Sequence, residues 1–268
     1  MAGSVAWISV TPVKGLRLQQ RDEVELTENG VPGDRAFFVL DQRGAMVSAT
    51  RLGPLVAVVS DYDPRTGVLA LRFPGGDEVG GPVELGEPEE VRFSRLAIRA
   101  RPVLGAFSAA LSDHCAKPLR LFAMPPERPG VDRGSAGAAT LLSVASLERL
   151  RRQADVDEPI DPRRFRMTFG VEGLEPHEED GWIGGEVGVG GALVRVMGNV
   201  GRCAATTRQP DTGVVDLKTL HHLKAYRDEV PTTEPLPFGV YASVLRPGPV
   251  RVGDAVGPAS DGRSRSAD

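Results

Sequence analysis

Apolar positions in the first hundred residues come in short runs closed off by Gly, Pro and Asp, a rhythm that predicts strands and tight turns. Residues 5–10 are apolar and partly β-branched, ending at Thr11-Pro12. Residues 36–40 and 45–48 flank Asp41-Gln42-Arg43-Gly44, a hairpin loop with a glycine where φ > 0 is needed. Residues 55–60 and 68–73 flank a second turn, Asp63-Pro64-Arg65-Thr66-Gly67. Strands this short and this closely spaced predict a barrel or sandwich. Further strands are expected over 192–197 and 239–245. Helices are few. Phe107, Ala110, Leu111 and Cys115 give residues 106–115 one apolar face. A second helix is expected over 146–154, with Ser146 opening an imperfect capping box because Arg149 stands where Glu belongs. A third is expected over 217–226.

Prolines 125, 126 and 129 and Gly130 resist both helix and central strand, so the best break lies there. The predicted organisation is residues 1–122, residues 123–257, and a disordered polar tail over 258–268.

With 41% apolar and 25% charged residues in 268, the composition is that of a globular chain with a sizeable core. The net charge of -4 argues against a nucleic-acid partner. No apolar run approaches the roughly 20 residues that span a bilayer, and the N-terminus lacks a signal-peptide pattern. A cytoplasmic protein without a membrane partner is expected. Two cysteines, Cys115 and Cys203, exclude a disulfide framework, a four-cysteine iron–sulfur cluster and a four-cysteine zinc site. Cys115, on the apolar helical face, reads as core. His114, His177, His221 and His222 form no zinc-hydrolase motif, and His177 sits in an acidic stretch expected to be solvated. Asp211 and Asp216 read as turn caps.

The segment with most chemistry runs from Gly201 to Gly213: Gly-Arg-Cys-Ala-Ala-Thr-Thr-Arg-Gln-Pro-Asp-Thr-Gly. Arg202 beside Cys203 favours thiolate, the form that binds soft metals or attacks electrophiles. The segment alone is also readable as a buried structural cysteine. In order along the chain, Arg202-Cys203, Thr206-Thr207, Pro210-Asp211-Thr212-Gly213, Leu220, Leu223, Lys224, Tyr226-Arg227, Phe238-Gly239, Tyr241 and Val252-Gly253-Asp254 resemble the signature of the MOSC family, the molybdenum cofactor sulfurase C-terminal domain. Pro12-Val13-Lys14-Gly15 and Gly33-Asp34-Arg35 followed by Ala36-Phe37-Phe38-Val39 resemble the β-barrel domain that precedes MOSC in many members.

The resemblance implies an α+β, β-rich fold: an N-terminal β-barrel-like domain packed on a MOSC β-barrel domain with a few short helices. By architecture the chain is similar to the amidoxime-reducing components and their bacterial counterparts. That likeness implies a molybdenum–molybdopterin cofactor with Cys203 as metal ligand. Carried over by motif, Lys14, Gly15, Arg35, Ala136, Gly137, Arg166, Gly201, Arg202 and Tyr241 are the expected cofactor contacts. Arginine forks and a lysine point charge suit a phosphorylated pterin. The chain departs from the pattern at Gly15, where relatives carry Ser, and at Ser135-Ala136-Gly137, where they carry an Asp-Thr-Ser-like run. It departs again at Met167-Thr168-Phe169, in place of Pro-Asn-aliphatic.

The activity implied is reduction of small N-hydroxylated or N-oxide substrates. Gly-x-Gly-x-x-Gly is absent, so electrons are expected from a separate protein: a flavin reductase, a ferredoxin or a b-type cytochrome. Two other readings stay open. MOSC domains also close cofactor sulfurases whose N-terminal part is pyridoxal-phosphate dependent, so the chain reads too as a cofactor carrier or sulfur-transfer module with Cys203 as persulfide carrier. The altered loop at Ser135 admits a module that has lost the cofactor.

Overall fold

The computed structural model describes residues 2–93, 96–125, 128, 130 and 133–259. Its largest element is a ring of seven strands. Around the ring run Phe169–Glu172, Ala139–Ser143, Pro237–Arg246, Ala192–Gly201, Glu186–Val189, Ala255–Pro258 and Gly3–Val10. The last of these pairs back onto Phe169–Glu172, which closes the barrel and leaves those strands no open edge. Neighbours are antiparallel except Ala139–Ser143 and Phe169–Glu172. Parallel strands need a crossover, and helix α2 (Val144–Ala154) supplies it. Inward-facing Val5, Ile8, Leu141, Phe169, Val187, Val194, Val240 and Val256 fill the ring.

Eight further strands form a half-barrel. Met46–Val47, Phe37–Asp41, Leu119–Ala123, Leu96–Pro102 and Glu89–Phe93 make one sheet, and Val59–Asp63, Val68–Arg72 and Glu78–Pro82 another. Phe37 and Val39 enter the core under helix α1 (Phe107–Cys115), while Phe38 and Leu40 enter a second core with Phe93 and Phe122. Burial on both faces explains why this strand is a continuous apolar run without alternation. Cys115 is buried, as expected, and burial pushes its thiol up to about 11.

Three expectations need correction. Residues 55–60 are not one strand. Gly53–Ala57 is a 3-10 turn with Pro54 at its start, where the missing N–H is harmless, and the strand begins at Val59. Helix α2 begins before Ser146, and the Ser146 hydroxyl accepts from the His177 N–H at 2.8 Å, so no capping box forms there. Pro258 belongs to a strand and the Ala259 N–H donates to the Glu186 carbonyl at 2.9 Å; the rest of the expected tail lies outside the described residues. So do Pro126, Glu127 and Pro129 of the expected break, while Ala123 ends a strand. Helix α3 (Thr219–Arg227) lies where residues 217–226 predicted it.

Gly3–Val10 comes from the first part of the sequence yet sits in a ring otherwise built from residues 139–258. The half-barrel also grips the segment after Cys203. Asp211 accepts two hydrogen bonds from Arg163, both 2.9 Å, and pairs with Arg17 at 3.2 Å. Beside it the backbones of Gly53 and Gly213 touch so closely that a methyl on either would overlap the other's carbonyl, and Gly213 has φ 74°. Gly213→Ala therefore combines a clash with left-handed backbone, and it should cost about 2–3 kcal/mol in urea unfolding. An unchanged midpoint would show that this seam yields freely.

Candidate functional site

The Lys14–Gly15 turn leaves the end of the Gly3–Val10 strand, and the Lys14 N–H is held by the Phe37 carbonyl at 2.8 Å. Arg35 precedes the Phe37 strand and Arg166 precedes the Phe169 strand. Both hold left-handed backbone, φ 52° and 54°, a conformation that non-glycine residues seldom adopt. They interlock: Arg35 Nη2 donates to the Arg166 carbonyl at 2.9 Å, and Arg166 Nη2 donates to the Leu16 carbonyl at 2.8 Å. Cys203 follows the end of the Ala192–Gly201 strand and caps a 3-10 turn, Ala204–Thr207.

These pieces surround one cleft of about 230 Å³ between ring and half-barrel. Of the residues expected from sequence, Lys14, Gly15, Arg35, Gly137, Arg166, Gly201, Arg202 and Cys203 line it. Ala136 and Tyr241 do not. Ala136 is half-buried in the Gly134–Gly137 turn, and the Tyr241 ring lies under the Arg133 guanidinium at 4.9 Å, so Arg133 meets the cleft in its place. Cys203 is exposed, which removes the structural-core reading of its segment.

Six cationic side chains line the cleft: Lys14, Arg35, Arg133, Arg164, Arg166 and Arg202. No Asp, Glu or His is among its described lining residues. Three of the six have carboxylate partners outside it: Asp34 for Arg35, Glu234 for Arg133, and Asp216 for Arg164. Lys14 Nζ reaches the Gly130 carbonyl at 3.3 Å. Arg202 turns its fork inward, onto the carbonyls of Phe165 (2.8 Å) and Phe238 and the Met167 sulfur, so most of its donors brace the cleft floor. Arg166 and Arg202 are both half-buried, with no carboxylate paired to them among the described residues. Burial, then the neighbouring Arg35, pushes Arg166 down to about 10. Burial, then Arg133, pushes Arg202 down to about 9. Such cations favour a bound anion, which relieves the cost of their desolvation.

Sequence reading missed Arg133, Arg164, Thr50 and Thr140, which also line the cleft. Arg164 stands two positions from Arg166 and carried a signal; Thr50 and Arg133 lie in loops and carried none. Asp211 and Asp216 are ion-pair partners of arginines, not turn caps. His177 is not solvated: its ring packs against Tyr226 and Phe238 at 5.7 and 5.5 Å, with both ring nitrogens buried and unpartnered. The described residues contain no group of three or more metal-ligating side chains, and His221–His222 stand as an edge-on pair.

Two neighbouring families match the chain: the MOSC N-terminal beta barrel domain over residues 2–118 and the MOSC domain over residues 130–257. The chain carries both domains, one after the other. It is similar along most of its length to amidoxime-reducing components. Mitochondrial amidoxime reducing component 2 of Bos taurus is 28% identical over 95% of this chain and 82% of its own length. Component 1 of Homo sapiens is 27% identical over 95% and 82%, and component 1 of Xenopus laevis 28% over 95% and 81%. No helix among the described residues is long and apolar enough to cross a membrane.

Behind the cleft floor, burial holds His177 down at about 3 and Glu179 up at about 7. The unfolded chain protonates His177 near 6.5, so this histidine removes stability as pH falls from about 6.5 to about 3. Glu179 acts oppositely: folded protein keeps its proton up to about 7, so stability is lost as pH rises from about 4.5. His177→Phe should therefore gain on wild type as pH falls below about 6.5, by up to ~1 kcal/mol per pH unit in urea titrations. A difference that does not change with pH would refute the buried neutral imidazole.

Proposed function

We propose that this protein is a reductase of small N-hydroxylated or N-oxide compounds that holds a molybdenum–molybdopterin cofactor in the arginine-lined cleft, with Cys203 as its protein ligand to the metal. The observation that carries this reading is the pairing of one exposed thiol with two half-buried arginines that have no carboxylate partner among the described residues. A soft sulfur donor beside unneutralised guanidinium groups suits a metal group that bears anionic charge. The names of the relatives, amidoxime-reducing components, support the substrate class.

When bound, the cofactor supplies the two-electron redox chemistry; the chain binds, orients and tunes it. Lys14, Arg35 and Arg166 hold its anionic groups. Gly15, Gly137 and Gly201 allow close approach, and Arg202 braces the floor from behind. Tyr241 acts through Arg133. An N-hydroxylated substrate takes two electrons and two protons and leaves as the reduced nitrogen compound and water. With no carboxylate or histidine among the described lining residues, the protons come from water in the open cleft. The electrons come from a separate protein: a flavin reductase, a ferredoxin or a b-type cytochrome.

Exposure of Cys203 also suits a persulfide carrier. Molybdenum content separates the two. Protein from a host that makes the cofactor should hold near-stoichiometric molybdenum, and Cys203→Ser should lose most of it. Near-zero metal in both, while a control molybdoenzyme loads normally, would overturn the reductase reading. Arg166→Met, with the fold confirmed by circular dichroism, should bind the cofactor about tenfold more weakly or worse. Full retention would remove Arg166 from the binding set.

A further inference from the structure

The Cys203 sulfur has one hydrogen-bonding side chain among the described residues, and it comes from the other half of the protein. Thr50 Oγ1 lies 3.4 Å from Cys203 Sγ. Thr50 follows the Met46–Val47 strand in a tight turn, where the N–H groups of Arg51 and Leu52 donate to the Ser48 carbonyl at 2.9 and 3.0 Å. Its own carbonyl accepts from Arg208 Nη2 at 3.2 Å. Three residues on, Gly53 abuts Gly213. The segment that follows Cys203 thus grips the turn that carries Thr50 at two points. The cysteine backbone is fixed as well, since its carbonyl accepts from the Thr206 N–H at 3.1 Å and the Thr206 hydroxyl at 3.0 Å.

As a thiol, Cys203 can donate to or accept from a hydroxyl. A metal-binding thiolate has no proton, so the direction is then fixed: the Thr50 O–H donates and the sulfur accepts. A hydrogen bond to a ligand sulfur draws charge from it, weakens its donation and makes the metal easier to reduce. We propose that Thr50 is a positioning residue that hydrogen-bonds the Cys203 thiolate, orients its sulfur and tempers its electron donation from across the cleft. The inference rests on the reading of Cys203 as metal ligand.

The test uses Thr50→Val, which keeps the shape and removes the donor, and Thr50→Ser, which keeps the donor. In cofactor-free protein, alkylation of Cys203 by iodoacetamide is timed at about pH 10, where an ordinary thiol is ionised. A Cys203→Ala blank subtracts any reaction at buried Cys115, and a melting curve at the same pH confirms folding. Losing the hydrogen bond frees the sulfur lone pairs, so Thr50→Val should react about threefold faster, with Thr50→Ser matching wild type. In loaded protein the midpoint potential of the metal should move negative in Thr50→Val and return in Thr50→Ser. Equal alkylation rates in wild type and Thr50→Val overturn the proposal. So does a Thr50→Ser that behaves like Thr50→Val, since the methyl group would then carry the effect. If no variant holds molybdenum, the reductase reading fails while the alkylation rates still decide whether Thr50 governs the sulfur.

Discussion

The pairing of Gly3–Val10 with Phe169–Glu172 is the contact on which the rest depends. It closes the ring, and it sets two remote stretches of sequence end to end. Lys14 and Gly15 leave one strand just where Arg166 enters the other, and the Ser9 N–H donates to the Thr168 carbonyl at 2.8 Å to hold that register. A slip of one residue would turn Val5 and Ile8 out of the core and carry the Lys14 turn away from Arg166. The cleft is therefore a product of barrel closure.

Charge shapes that cleft in a second way. The chain is acidic overall at -4, yet its carboxylates stand outside the cleft lining, paired to the backs of arginines that reach inward. Arg166 and Arg202 are held by carbonyls alone or by carbonyls and sulfur. Carbonyl dipoles orient a guanidinium without cancelling its charge, so the positive potential stays directed at whatever enters.

Much of this was legible in the sequence because it follows from local pattern. The runs at 5–10 and 36–40, the glycine of the 41–44 loop and the three helices depend on neighbours in the chain, and they stand close to where the pattern placed them. The cleft residues came from motif order: most lie together, but Ala136 and Tyr241 do not, because spacing along the chain says nothing of which face a residue presents. What escaped depends on contacts made over long separations. Pro54 bends the 53–57 segment, the Ser146 hydroxyl is taken by His177, and Asp211 and Asp216 find arginines from another element. Thr50, an ordinary loop residue by sequence, meets Cys203 only because the seam at Gly53 and Gly213 is closed.

Ring closure also bears on how the chain is made. Gly3–Val10 pairs with Phe169–Glu172 and with Ala255–Pro258, so its two neighbours within the ring arise from the middle and from near the far end of the described chain. On the ribosome the first strand has Gln19–Arg21 beside its last residues, but its ring partners are complete only once synthesis has passed residue 258. The half-barrel, whose strands between residues 37 and 123 pair among themselves, is free to form earlier. Order of emergence thus sets order of assembly, with the ring and the cleft completed last and a solubility hazard carried by the N-terminal segment in the interval.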